Sequence, residues 1–285
     1  MLLLIVSLTS GYAQDSLFIT RKAPSTSWER ALPIGNRTIG AKVFGGVEID
    51  SILLVDNAFL NEQDFLSEMS CPSFAKLTIT DNNKQAANFI KQSLNLNRSL
   101  LTEEYEQDSN VFSREYFASY PDRLIGIRIR CKKGKDGENA KKINCTLSLT
   151  SNYTEVQETN VNHITLKGTY TAEGKGTPFC TRLIVNSTDG RIKAKGNSIT
   201  IKEAADITLY LINTASTQNN NICDEIELQT ERLKMKDFDK IRFFHISDYR
   251  NILERFAPSK KVSGEQLLNA IYRNYLFISW PFSHL

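Results

Sequence analysis

The sequence predicts a mainly β fold, an N-terminal antiparallel β-supersandwich followed by two or three α-helices. Three observations carry that expectation. From Trp28 to about Leu228, short runs rich in β-branched and aromatic residues alternate with turn clusters at fairly regular spacing. In DRLIGIRIRC, Ile125, Ile127 and Ile129 alternate with Leu124, Gly126, Arg128 and Arg130, the two-residue rhythm of a strand with one face turned inward. From Cys223 onward apolar residues recur at helical spacing instead, at Ile246, Tyr249, Ile252, Leu253 and Phe256.

The elements follow in order. MLLLIVSLTSGYAQDS opens with an apolar run, Leu2 to Leu8, and reaches small residues at Gly11-Tyr12-Ala13. That is the pattern of a signal peptide over residues 1–13, cut between Ala13 and Gln14, although no basic residue precedes the run. It implies export to a periplasmic or extracellular compartment. The run is far shorter than the roughly 20 residues that cross a bilayer, so no membrane span is expected. A sandwich domain is expected over 24–229 and a helical linker with a further helix over 230–285. Within LPIGNRTIGAKVFGGVEIDSILLVD, Leu32-Pro33 enters extended and Gly35-Asn36 turns the chain. A strand then covers Ile39 to Phe44, and Gly45-Gly46 breaks it so that Ile49 to Val55 pairs back. Ile207 to Ile212 is apolar on nearly both faces, as a central strand is. Pro258 ends the first long helical run. EQLLNAIYRNYLFISW, with Leu267, Leu268, Ile271, Tyr275, Leu276 and Ile278 on a broad face, requires a partner surface.

Composition narrows the function. The chain has 285 residues, 41% hydrophobic and 24% charged, enough for one or two domains with a core. A net charge of +3, with dispersed lysines and arginines, leaves no footprint for nucleic acid. The densest basic run, KKGKDGENAKK, is broken by Asp136 and Glu138 and reads as a solvated hairpin loop. The five cysteines (Cys71, Cys131, Cys145, Cys180, Cys223) contain no C-x-x-C, and His163, His245 and His284 make no zinc-site spacing. Cys131 and Cys145 flank the basic loop and could form a disulfide across it; buried thiols are the alternative. The phosphate-loop pattern G-x-x-x-x-G-K-[ST] is absent, and no cofactor or metal is expected.

WERALPIGNRTIGAKVFGGVEIDSILL closely resembles the opening of glycoside hydrolase family 95, the α-L-fucosidases, whose members carry A-L-P-x-G-N-G-R-L-G-A-M-V-F-G-G-V and a strand ending N-E-D-T-L-W. NVFSREYFASYPDRLIGIRI, GNSITIKEAADITLYLINTAS, HISDYRNILERF and EQLLNAIYRNYLFIS resemble later family stretches in the same order. The likeness spans Trp28 to about Ser279. It implies a supersandwich, a helical linker, a catalytic (α/α)6 barrel and a C-terminal β domain in an intact parent. That parent acts as an inverting glycosidase on fucosylated glycans or other oligosaccharides, and a related phosphorylase family shares the architecture. The barrel carries the family's catalytic residues, so none is assigned here. The resemblance implies a chain truncated before the barrel, inactive alone, whose barrel a downstream fragment could supply. Trp28, Asn36, Arg37, Asp56 and Asn57 are the residues expected to face it. Two departures mark that face. Gly35-Asn36-Arg37-Thr38-Ile39-Gly40 replaces G-N-G-R-L-G, putting a side chain where the backbone calls for positive φ. Val55-Asp56-Asn57-Ala58-Phe59-Leu60 replaces N-E-D-T-L-W. Other carboxylates read as structural: Asp248 as packing or capping, Glu115 and Asp122 as exposed beside a hairpin. The alternative is a stand-alone carbohydrate-binding or scaffold sandwich using Tyr116, Phe117 and Tyr120 as sugar platforms, although core packing and turn anchoring explain these three better.

Overall fold

Alternating apolar residues and closely spaced turns lay the chain out as two antiparallel sheets stacked face to face. The computed structural model describes residues 18–59, 73–83, 85–133, 142–172, 175–218 and 221–256. The expected signal peptide, Cys71, the loop at 134–141 and the apolar segment at 265–280 lie outside those residues. In chain order the strands are β1 (Phe18–Arg21), β2 (Leu32–Gly35), β3 (Ile39–Val43), β4 (Ile49–Asp56), β5 (Ala75–Asp81), β6 (Ala87–Asn95), β7 (Leu100–Gln107) and β8 (Asn110–Ser119). They continue as β9 (Leu124–Lys133), β10 (Ile143–Thr150), β11 (Thr154–Thr159), β12 (His163–Ala172), β13 (Lys175–Thr188), β14 (Arg191–Lys195), β15 (Ser198–Ala204) and β16 (Asp206–Ala215). Helices α1 (Ile222–Leu233) and α2 (Phe238–Phe256) follow. The larger sheet runs β1-β6-β7-β8-β9-β16-β13-β12-β11 and the smaller β14-β15-β10-β5-β4-β3-β2.

The opening segment behaves as its turn residues dictate: β2, β3 and β4 form a consecutive antiparallel meander. β16 lies between β9 and β13 in the middle of the larger sheet, as an apolar run on both faces requires. Strands β6, β7 and β11 escape the sequence reading because lysine, glutamine, glutamate and threonine dilute their alternation. The strands end at Ala215 and α1 begins at Ile222, so the expected boundary at 229–230 falls inside that helix.

Ile125, Ile127 and Ile129 of β9 meet Ile52, Leu54, Leu77, Leu147 and Leu149 of the smaller sheet in the main core. The outer face of the larger sheet is also apolar, at Phe117, Leu124, Cys180, Tyr210 and Ile212, and the helices cover it with Ile222, Ile226, Leu233, Phe238 and Ile241. Gly126 makes room there: a Cβ would stand 2.7 Å from the Phe117 ring. That ring packs edge-on against Phe238 and stacks on His245, with centroids 5.2 and 5.0 Å apart. Tyr249 donates to the Leu96 carbonyl at 2.6 Å, and the Arg242 guanidinium grips Glu115 at 2.7 and 3.1 Å.

Between the sheets sits a buried ionic cluster. The Arg114 guanidinium of β8 donates to Glu103 Oε1 of β7 at 3.1 Å and lies 3.8 Å from Asp50 of β4. It also donates to the carbonyls of Gly46 at 2.6 Å and Val47 at 2.9 Å. Asp50 accepts from the Gly45 amide at 2.9 Å and the Tyr116 hydroxyl at 2.6 Å. Gly45 has φ 80°, and a Cβ on Gly46 would lie 2.0 Å from the Ile49 carbonyl, so the Gly-Gly pair is what lets the loop fold over the guanidinium. One cation faces two sealed carboxyl groups. Burial raises both, Glu103 to about 8, with Arg114 opposing and Asp50 adding to the rise.

One expectation is corrected here. Cys131 and Cys145 are not joined and do not face each other across a hairpin. β9 pairs with β8 and β16 in the larger sheet, β10 with β5 and β15 in the smaller, so the two cysteines belong to different sheets.

Glu103 of the cluster and His245 of α2 set opposing pH trends. Glu103 keeps its proton in the native state after the unfolded chain, near 4.5, has lost it, so its contribution declines as pH rises toward about 8. Burial holds His245 down to about 4, so stability falls as pH drops from 6.5 toward that value. Asp56, raised to about 6, and Asp50, raised by burial beside Glu103, act with the same sign as Glu103. Denaturant unfolding should show stability decreasing from pH 6.5 to 8 in the wild type and a flatter profile in Glu103→Gln. His245→Gln should lose less stability on acidification than the wild type. Arg114→Met, which strands the carboxyl groups, should cost about 3–5 kcal/mol.

Candidate functional site

One end of the sandwich gathers four of the five residues singled out by the sequence, and turn chemistry explains how. Asn36 closes the β2–β3 turn: its Oδ1 accepts from the amides of Thr38 at 3.1 Å and Ile39 at 2.9 Å. Its Nδ2 donates across the sandwich to the Ser119 carbonyl at 2.7 Å. The Ser119 hydroxyl donates to Asp122 Oδ2 at 3.0 Å, and Asp122 forms an ion pair with Lys236 between the helices. Gln229 of α1 donates to the carbonyls of Asp122 at 2.8 Å and Arg123 at 3.0 Å. A continuous polar path therefore runs from the opening turn to the linker.

Arg37 occupies the residue after Asn36 with φ 73°, the left-handed conformation that a glycine adopts without strain. Its carbonyl accepts the Asn57 side-chain amide, and the Asn57 amide donates to Thr38 at 3.0 Å. The end of β4 is thereby laced to the turn. Asp56, 5% exposed, accepts from the Ala58 amide at 2.8 Å and from Asn213 Nδ2 at 2.7 Å. Burial pushes its carboxyl up to about 6 in spite of those bonds. Asn213 in turn accepts from the Thr181 hydroxyl. Trp28 belongs elsewhere: it is half-buried before β2, with the Lys42 ammonium 5.4 Å from its ring centroid. Lys42 pairs with Pro33, back along the hairpin from the turn.

The corner exposes Arg37, Thr38, Ala58, Tyr120 and Arg123 around a sealed interior. Its carboxylates, Asp56 and Asp122, are both buried and engaged, so their chemistry is to hold backbone shape. Ser119, Thr181, Asn213 and Lys236 are members that the sequence reading missed. Ser119 carries a signal, lying within FASYPD, whereas Asn213 follows the apolar run of β16 with nothing local to mark it.

Two side-chain expectations are corrected, the exposure of Asp122 and that of Glu115. Tyr116 and Phe117 are sealed within the protein, so of the three proposed sugar platforms Tyr120 alone is exposed. Asp122 is buried, because its carboxyl faces Ser119 and Lys236, and Glu115 is half-buried against Arg242. Asp248 is half-buried on α2, its carboxyl raised by burial.

Two open depressions of about 220 Å³ each lie on the larger sheet. One is bordered by Arg128, Asp206 and Asp239, which pair with one another; the other by Lys91, Lys132, Glu104, Glu115 and Arg242, which do the same. Among the described residues no group of three histidine, cysteine or acidic side chains is placed to hold a metal ion, and no helix is long and apolar enough to cross a membrane.

The described residues form two stacked antiparallel sheets with two helices on one outer face. A solved structure described as "Putative kojibiose phosphorylase from human microbiome" has the same fold, with a TM-score of 0.51 at 10% identity. The alignment covers 84% of this chain and 38% of that one. The sequence model of the family described as "Glycosyl hydrolase family 65, N-terminal domain" matches residues 54–220, more than half of the chain, and the chain belongs to that family. No curated protein matches the sequence. The family match is to family 65; it supports the expected glycoside hydrolase N-terminal sandwich but not the family 95 assignment.

Removing the strained side chain should help the fold. Arg37→Gly is expected to raise stability by about 0.5–1 kcal/mol, the relief of a left-handed non-glycine residue less the entropy that glycine adds to the unfolded chain. Asn36→Ala should lower it by about 1–3 kcal/mol, since it leaves buried polar groups without partners. The urea midpoints of the two variants should move in opposite directions.

Proposed function

We propose that this sandwich and its linker are the N-terminal partner of a catalytic (α/α)6 barrel of the α-L-fucosidase type, acting in the intact enzyme on fucosylated glycans or other oligosaccharides. The supporting observation is Arg37. The family 95 motif has glycine there, and this chain keeps the glycine backbone conformation despite the substitution, with Asn36 and Asn57 bonded around it. The turn's shape has outlived its usual residue, which is the behaviour of a segment whose form serves a contact. The exposed rim around Arg37 and Tyr120 is the surface this reading assigns to the barrel. Export is part of the same proposal, on the apolar run and small residues before Gln14.

Inverting hydrolysis needs one carboxylic acid and one carboxylate roughly 6.5–9.5 Å apart across an open sugar site. Asp50, Glu103 and Asp56 are sealed in the fold and cannot reach a substrate. The purified chain is therefore expected to show no turnover of aryl α-L-fucosides. Turnover that a single carboxylate substitution abolishes would overturn this. A second check is genetic: the DNA following codon 285 should encode barrel helices, and its failure to do so in any frame counts against the reading.

A further inference from the structure

We propose that Cys180 and Cys223 form a redox pair that fastens the first linker helix to the larger sheet as a disulfide. Cys180 projects from β13 into the apolar layer beneath the helices and is fully buried; Cys223 sits in the first turn of α1, half-buried against the same layer. Both are thiols in this structure, Cys223 packs against the apolar cluster that holds Cys180, and it lies near enough to raise the Cys180 thiol. The pair first suggested by spacing, Cys131 and Cys145, is split between the sheets.

Two cationic side chains stand beside this pair. Lys167 stands opposite Cys180 in the β12–β13 register, and Arg182 follows two residues along β13. Burial, then the Cys223 thiol, raise Cys180, while the Lys167 and Arg182 charges favour its thiolate. These cations also pair with Glu158 and Glu227, so their influence is shared. With oxidised glutathione, a small disulfide oxidant, the more accessible Cys223 thiolate attacks one glutathione sulfur and expels a glutathione thiolate. The Cys180 thiolate then attacks the Cys223 sulfur and expels the second. The two protein sulfurs lose two electrons, the two glutathiones gain them, and the two thiol protons pass to solvent and onto the released glutathiones. The new bond ties α1 to β13, against which it already lies.

The test uses the full chain, purified reduced, equilibrated with oxidised and reduced glutathione, trapped by alkylation and digested without reductant. Mass spectrometry should find a peptide pair joined through Cys180 and Cys223, two hydrogens lighter than the separate peptides. The crosslink should persist in the Cys131→Ser, Cys145→Ser double variant and vanish in Cys223→Ser. Because Cys223 is half-buried, that variant remains a fair test if Cys180→Ser fails to fold. Oxidation should raise Tm and slow amide exchange in α1 by about tenfold in the wild type, with no such change in Cys223→Ser. The proposal is overturned by full alkylation of Cys180 after unfolding, by a stable glutathione adduct at Cys223, or by Cys223 joined to another cysteine. None of these outcomes depends on the barrel partnership.

Discussion

Arg114 lies between the two sheets, and much of the sandwich is arranged around the need to satisfy it. A guanidinium cannot shed its charge, so its burial demands carboxylates and carbonyls in a fixed fork. β7 supplies Glu103, β4 supplies Asp50, and the loop after β3 supplies the carbonyls of Gly46 and Val47. Each partner comes from a different segment, so satisfying Arg114 fixes how the sheets stack and where the opening hairpin bends. A buried cluster of this kind is weak evidence for stability, since desolvation offsets much of the attraction. Its role here is registry: a slipped strand would leave a charge without a partner.

The outer face of the larger sheet has a different solution. Aromatic and aliphatic residues from β8, β9, β13 and β16 would face water without the helices, so α1 and α2 are part of the sandwich's own packing. Ion pairs from Arg182 to Glu227, Arg128 to Asp239 and Arg242 to Glu115 ring that apolar contact. They are partly exposed and orient the helices more than they hold them. The corner built by Asn36 and Asp122 meets the same linker through Lys236 and Gln229. The opening turn and the helices are thus mechanically joined.

Much of the fold was legible in particular residues. The isoleucines of β9 announced a half-buried strand, Gly35-Asn36 a turn, and Gly45-Gly46 a break, and each stands where its chemistry predicted. Arg37 was legible too, since a side chain at a glycine's place in a family-like turn raises the question of positive φ. The polar members were harder. Arg114 looks like any strand arginine in SREYF, and nothing local shows that its neighbours on both sheets are acidic. Asn213 and Thr181 meet Asp56 only through strand pairings distant in sequence.

By itself the sequence determined the local structure and the class: strand alternation, turn positions, the passage from β to α, and a resemblance to glycoside hydrolase sandwiches. Those properties reside in neighbouring residues and short periods, which a linear reading captures. Tertiary structure alone decided which groups share a buried space. It placed Cys131 and Cys145 on different sheets, brought Cys180 to Cys223, and turned Tyr116 and Phe117 inward. The physical reason is sheet order: with β9 beside β16 and β10 beside β5, consecutive strands separate and distant ones pair. Burial, charge and reactivity follow from that order.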